Sequence, residues 1–441
     1  MPTIPQKNVL DKMPVDELRA SLHAVAQPVT ELLPDPRLAA VAELILQGIV
    51  ASESPIVTQI VRGAGHTEKT IWPASKRVYR FLANERFSSR TLRKGLYHLA
   101  QQTVAAQAPE YLVIAVDPVN FEKPYTEALE GVSHVIKSTP PSLDGEKRVT
   151  RGYPALTATI VNLDQPATTY ANWFSYQVPE FLSQNREIER AFRISRTLFP
   201  RAKLRFIGDA GLDDQKIFRQ VARVQGEFVM RACHDRQLEV YNARLRRWEP
   251  EALFDLVATV PFEFEQEVQF THARTTRRTR MGFGWFKVRL RETGQELWVV
   301  VAHDFTRGHD LILLTNVPLE NAAVVRQVYT DWRLRGRIEH GYRFDQEEGL
   351  DVEDVRVETL ERMRRLFIFV LLAAQFVAYV GRTWSQAAVL WLRQLGGKLG
   401  VKSDRDGLYV LLRGIGGVWQ TAATITFALN HPFPMRNSTC G

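Results

Sequence analysis

Two short runs share a form that narrows what this chain can fold into. YLVIAVD, residues 111–117, is apolar and β-branched and ends in a carboxylate; KLRFIGD, residues 203–209, repeats the order of strand, acid and small residue, with Arg205 interrupting the apolar stretch. Runs of this length and composition are expected as buried central strands. Each acid then sits at a strand end or just beyond the first polar step, where a charge costs desolvation free energy unless a cation or a donor compensates. Asp209 follows Asp117 by 92 positions, yet two such strands can bring both carboxylates to one edge of a sheet. Asp213 or Asp214 suits the N-cap of the helix DDQKIFRQVARV, a role that fits both better than metal ligation.

A third stretch, WRLRGRIEHGYRFDQ over 332–346, reads as part of a helix begun after Pro318. At about 100° per residue, Trp332, Arg335, Glu339, Arg343 and Gln346 fall on one face, with Leu334, Ile338 and Gly341 opposite. A carboxylate among guanidinium groups can hold a cation and the phosphates it acts on. A solvated helix surface with i,i+4 ion pairs has the same pattern.

Around these runs the character of the chain changes several times. Residues 1–30 read as a loosely held arm with one short helix, and Pro36 to Leu99 as a helical bundle. In SKRVYRFLAN, Val78, Phe81 and Leu82 are expected inward, with Lys76, Arg77 and Arg80 outward. That basic face suits a DNA groove, or merely the outside of a helical cap. After Asp117 comes a stretch rich in turn formers, then two strands, YPALTATIVNLD and ATTYANWFSYQV, expected as an antiparallel meander. The amphipathic helix NREIERAFRISRTLFP follows.

From Gly226 to Val317 the pattern is of strands, and among them RTTRRTR brings Arg274, Arg277, Arg278 and Arg280 together. Alternation with threonine presents arginines to phosphates or makes a charged edge strand that resists aggregation. Trp285 and Trp298 suit the core or stacking on an unpaired base. Further on, GGKLGVKSDRDG and GIGG interrupt the helical pieces beyond Gly381.

The excess of 57 Lys and Arg over 49 Asp and Glu, a net +8, favours a polyanionic partner. Two cysteines, with no CxxC pair or clustered histidines, argue against a disulfide framework or a structural zinc and fit a reducing cytosol. The amino terminus lacks the apolar region of a signal peptide. The most apolar run, Leu366 to Val380, is shorter than the ~18 residues needed to span a bilayer and contains Gln375. A buried core helix, and no membrane, is the expectation.

Asp117, Asp209 and Glu339 form a candidate oxygen-ligand set for two Mg²⁺ or Mn²⁺ ions, whose chemistry would be phosphoryl transfer on DNA. With these residues named, the chain resembles a bacterial insertion-sequence transposase of the DDE type, in the cut-and-paste, YREK-type branch. The elements that carry the resemblance run from SKRVYRFLAN through YLVIAVD, FIGDAG and FVMRACHDR to RGRIEHGYRF.

The resemblance implies an α/β chain. An RNase H-like mixed sheet flanked by helices is interrupted by a β-rich insertion and preceded by an all-α N-terminal domain. It implies a helical DNA-binding domain over 1–105, the first part of the catalytic core over 106–225, the insertion over 226–318, the second part of the core over 319–385 and a helical C-terminal region over 386–441. The partners implied are double-stranded DNA, as terminal inverted repeats and target, and a second copy in a synaptic homodimer. The setting is a bacterial cytoplasm, at the nucleoid.

The family's Y-x2-R-x3-E-x6-K signature falls on Trp332, Arg335, Glu339 and Gln346, so Trp stands for Tyr and Gln for Lys. Those family residues grip the DNA end, and the branch often forms a hairpin there with a base flipped out. Tyr329 and Lys123 are candidate substitutes for the two missing groups, and Glu347 or Glu348 for the acid. A DNA-binding protein derived from a transposase, or a metal-dependent nuclease, are the alternatives.

Overall fold

The computed structural model describes residues 12–126, 128–137, 148–233, 235–272, 275–338, 350, 352–397 and 407–430. The chain divides into two compact units, one of Met1–Leu99, Phe121–Tyr153 and Gly341–Gly441, the other of Ala100–Asn120 and Pro154–His340.

In the first unit, helices α1 (Val15–Thr30), α2 (Pro36–Ser52), α3 (Val57–Gly63) and α4 (Glu68–Leu82) precede α5 (Ser89–Gln107), which crosses into the second unit. Helices α10 (Leu360–Thr383), α11 (Gln386–Gly396) and α12 (Leu408–Asn430) complete it. Asp35 caps α2 by accepting from the N–H groups of Arg37 and Leu38, with Pro36 at the first turn. The one helix expected in the arm, α1, has four turns and is held in place by buried Leu18, Leu22, Val25 and Val29, and residues 1–11 of the expected arm lie outside the described residues.

Among the described residues one helix, α10, is long and apolar enough to cross a membrane. Leu366 to Ala373 are all buried, and Phe369 meets Phe81 edge-on at 5.7 Å. GIGG does not break α12. A Cβ on Gly414 would lie 1.9 Å from the Leu392 carbonyl oxygen, so the glycine is there for close approach of α11.

Among the described residues one mixed sheet of twelve strands runs in the order β2-β3-β1-β5-β6-β12-β11-β10-β7-β8, with β4 on β3 and β9 on β10. Its first strands are β1 (Leu112–Glu122), β2 (Ser133–Ile136), β3 (Val149–Ile160) and β4 (Ala167–Trp173). Backbone bonds from Lys123 N to Arg151 O and from Val161 N to Val113 O make β3 antiparallel to β1. β4 returns antiparallel on β3, as the expected meander.

Helix α6 (Gln184–Leu198) leads to β5 (Leu204–Gly208), and α7 (Gln215–Arg223) to β6 (Glu227–Arg231). β1, β5 and β6 are parallel, which requires such crossover connections. Then come β7 (Gln237–Asn242), β8 (Arg247–Ala252), helix α8 (Leu253–Thr259), β9 (Phe264–His272), β10 (Thr275–Leu290), β11 (Glu296–Asp304) and β12 (His309–Thr315), followed by α9 (Ala322–Arg333). Helix α8 interrupts the run of strands expected between Gly226 and Val317.

Even-numbered Leu112, Ile114, Val116, Leu204, Phe206, Phe228 and Met230 join one hydrophobic core together with Phe192 of α6 and Phe218 of α7. The odd-numbered side chains of these strands therefore lie on the other face of the sheet.

Candidate functional site

The register of β1 against β5 pairs Leu112 with Leu204 and Ala115 with Ile207, an offset of 92. That offset equals the spacing of the two aspartates, so the same register continued two positions, one of them past the end of β5, would bring Asp117 opposite Asp209. The backbone at Asp209 is still extended, with φ −84° and ψ −174°. Neighbouring strands are about 4.8 Å apart, and both acids are odd-numbered, so their side chains share the face away from the core. The sequence expectation needs one correction. Asp117 does not end its own strand, since β1 continues to Glu122; it stands where β5 has ended.

Asp209 also caps a 3-10 turn, its Oδ1 accepting from Gly211 N at 2.9 Å. The register of β5 with β6 pairs Gly208 with Met230, so Arg231, exposed, falls next in the same row. Its place could be read only from the register.

The end of α9 and the chain after it reach these strands. Trp332 Nε1 donates to Gly208 O at 2.9 Å, and Arg335 NH1 lies 3.9 Å from Asp117 Oδ1, the two side chains 18% and 13% exposed. Arg337 NH1 donates to Val161 O and Leu163 O, just past β3, at 2.7 and 2.6 Å, and Ile338 is buried. The expected unbroken helix through this segment is not present: α9 ends at Arg333, Leu334 and Arg335 form a turn, and helix resumes at Gly336. The N–H groups of Leu334, Arg335, Arg337 and Ile338 each reach back three residues rather than four.

The tighter winding eclipses residues three apart. It sets the Arg335 guanidinium over the Trp332 ring at 5.9 Å. Gly336, a poor helix former, sits at the break. Glu339, Arg343 and Gln346, with Glu347, Glu348 and Arg274, lie outside the described residues.

Two proposed substitutes are ruled out by burial. Tyr329 is 2% exposed and its hydroxyl contacts Met281 Sδ at 3.1 Å; burial pushes the phenol up to about 12. Lys123 is 6% exposed and its Nζ donates to Val355 O at 3.1 Å. Asp214 caps α7 as expected, but Asp213 does not. Its buried carboxylate lies 2.7 Å from Arg236 NH1 and accepts from Cys233 N. Burial raises its pKa, against the pull of Arg236.

The remaining cations divide by unit. In the first unit, Lys76, Arg77 and Arg80 are exposed on α4 beside Trp72 and Tyr79, while Val78, Phe81 and Leu82 are buried. In the second, Arg277, Arg278 and Arg280 lie on β10 opposite Phe270, Gln269 and Glu267. Arg277 pairs with Asp304 at 3.5 Å and Arg280 pairs with Glu265, whereas Arg278 is exposed. Trp285 and Trp298 are half-buried on the face that carries the aspartates, Trp285 across from Val300 and Trp298 from Lys287.

No family model matches the chain, and no curated protein does. The chemistry therefore has to be judged from the site. Adjacent carboxylates are oxygen ligands of the kind hard divalent cations take. Among the described residues no set of three His, Cys, Asp or Glu gathers closely enough to hold a metal ion.

Proposed function

We propose that the chain is a DDE-type transposase with an RNase H-like catalytic core. It would cleave DNA at terminal inverted repeats and join the 3′ ends to target DNA, with Asp117, Asp209 and Glu339 holding Mg²⁺ or Mn²⁺. What supports the reading is the β1–β5 register, which continued two positions past its last pair would bring Asp117 opposite Asp209, and Arg335 at 3.9 Å from Asp117. Support for the core comes from the strand order β4-β3-β1-β5-β6, three antiparallel strands and then parallel ones reached through helices, with the β meander between β6 and α9. Glu339 is four residues beyond Arg335 in the sequence.

When bound, a pair of hard cations activates the attacking water or 3′ hydroxyl and neutralises the leaving oxygen. The chain's own part is to supply the carboxylates and to hold backbone phosphates with Arg335, and with Arg343 and Gln346 if they follow the family pattern. Arg278 and the α4 residues Lys76, Arg77 and Arg80 supply exposed positive charge for DNA. A pair of transposon ends calls for two copies of the chain.

The test uses the full chain, MgCl₂ and a duplex bearing the element's own inverted repeat. The expected products are cut ends, with or without a hairpin, and joined target, all abolished by Glu339→Ala. Cutting without joining would favour the nuclease. Salt-sensitive binding with no nick would favour a DNA-binding protein. Cleavage that survives Glu339→Ala would sink the triad and turn attention to Glu347 or Glu348.

A further inference from the structure

Arg205 breaks an otherwise apolar central strand, and its surroundings suggest why. It is 5% exposed, and its Nε and NH2 donate to Glu227 Oε2 on the neighbouring strand at 2.9 and 2.6 Å. Its NH1 pairs with Asp331 of α9, itself 2% exposed. Asp331 also accepts from the Tyr111 hydroxyl at 3.0–3.1 Å and from Gln327 Nε2 at 2.8 Å. The Arg205 guanidinium lies 5.0 Å from the centre of the Tyr111 ring, and Lys203 reaches Glu227 at 2.9 Å.

A buried ion pair is a weak source of stability, because desolvation offsets most of the attraction; what it can supply is a defined geometry. Here the geometry concerns the site. Asp331 immediately precedes Trp332, whose indole is bonded to Gly208 O, and Arg335 follows at Asp117. The network thus fixes the last turn of α9 against β5, one residue before the segment that reaches Gly208 and Asp117. Burial first, and the charge of Asp331 second, push the Tyr111 phenol up to about 12, so it remains a donor across the working pH range.

We propose that Arg205 and Asp331 are positioning residues, whose buried pair sets Trp332 and Arg335 in register with Asp117 and Asp209. Their effect on catalysis rests on the transposase reading; their effect on geometry does not.

The test compares Asp331→Asn, Arg205→Lys and the apolar double variant Arg205→Met/Asp331→Leu with the parent chain. The double variant removes both charges together, which leaves neither member of the pair buried without the other. The first readout is solvent exchange of the Trp332 indole N–H, assigned with Trp332→Phe; at least tenfold faster exchange is expected in all three variants. The second is single-turnover cleavage of the inverted-repeat duplex at saturating DNA. A tenfold or larger rate loss and a shifted half-saturating Mg²⁺ concentration are expected.

Unchanged indole exchange in a folded double variant overturns the proposal, and so does parental cleavage and Mg²⁺ dependence in that variant. If the parent chain does not cleave at all, the transposase reading fails, and the indole readout alone decides whether the pair positions the segment.

Discussion

Removing the guanidinium of Arg365 tests how the basic helix of the first unit is held. Arg365 is buried on α10, where NH1 donates to Leu82 O at 2.8 Å, Asn84 O at 2.9 Å and Phe81 O at 3.3 Å, and NH2 to Phe87 O at 2.7 Å. These carbonyls end α4 and form the chain just beyond it, so the cation also meets the negative end of the helix. Its Nε bonds Glu361 at 3.2 Å, and Glu361 holds the N–H and hydroxyl of Ser89 at the start of α5. One side chain therefore fixes the turn between the helix carrying Lys76, Arg77 and Arg80 and the helix after it.

Arg365→Met keeps most of the bulk and removes every donor. A hydrogen bond to a charged group contributes ~1.5–3 kcal/mol, so four carbonyls set a gross loss of roughly 6–12 kcal/mol. Against that, burying the guanidinium costs several kcal/mol, which the substitution recovers. The net expected loss is about 3–5 kcal/mol, the range for removing one partner from a buried charged pair. The assay is amide hydrogen exchange over residues 79–92, with residues 112–116 and 204–208 of the second unit as the internal control. A local loss of that size speeds exchange by about two to nearly four orders of magnitude at the turn and leaves the control unmoved. Arg365→Lys should recover less than half, since one ammonium cannot serve four carbonyls. Less than a threefold change over 79–92 in the folded Met variant would refute the reasoning.

Two further outcomes follow from the second unit. Arg335→Ala removes a cation 3.9 Å from Asp117, so Mn²⁺ binding followed by electron paramagnetic resonance should tighten by about threefold to tenfold, while DNA cleavage slows by tenfold or more; weaker Mn²⁺ binding would count against metal at this carboxylate. Burial opposes the ionisation of Asp304, but hydrogen bonds from Thr279, Thr306 N and Arg307 N, with Arg277 nearby, outweigh it and hold the carboxyl below its usual value of 3.8. The stability this supplies is complete above pH 3.8 and is lost as pH falls through the lower folded value. Exchange of the Thr306 and Arg307 amides should therefore stay protected at pH 4.5 and rise, relative to the intrinsic rate, only below 3.8.

The two strand-and-acid runs are legible in the sequence because they obey a local rule: a short apolar run reads as a buried strand, and Asp117 and Asp209 close such runs. The outward Lys76, Arg77 and Arg80 follow from helical periodicity in the same way. What local rules cannot supply is the partner across space. That β1 meets β5 with an offset equal to the spacing of the acids depends on strand order, and only the register, continued past the end of β5, brings the acids and Arg231 into one row.

The turn at Leu334 and Arg335 escapes a 100° wheel because it is held by tertiary bonds, Trp332 to Gly208 and Arg337 to Val161 and Leu163, whose acceptors are backbone carbonyls and carry no residue signature. Tyr329 looks available on the sequence and is core, for its ring stands edge-on to Phe283 at 4.9 Å. Arg205 is the instructive exception. A guanidinium inside an apolar strand is a broken local rule, and a buried charge must find a partner. The sequence thus announces that some acid packs on that face of the sheet; it is the fold that selects Asp331, 126 positions away, and thereby ties the strand that ends at Asp209 to the helix that leads toward Glu339.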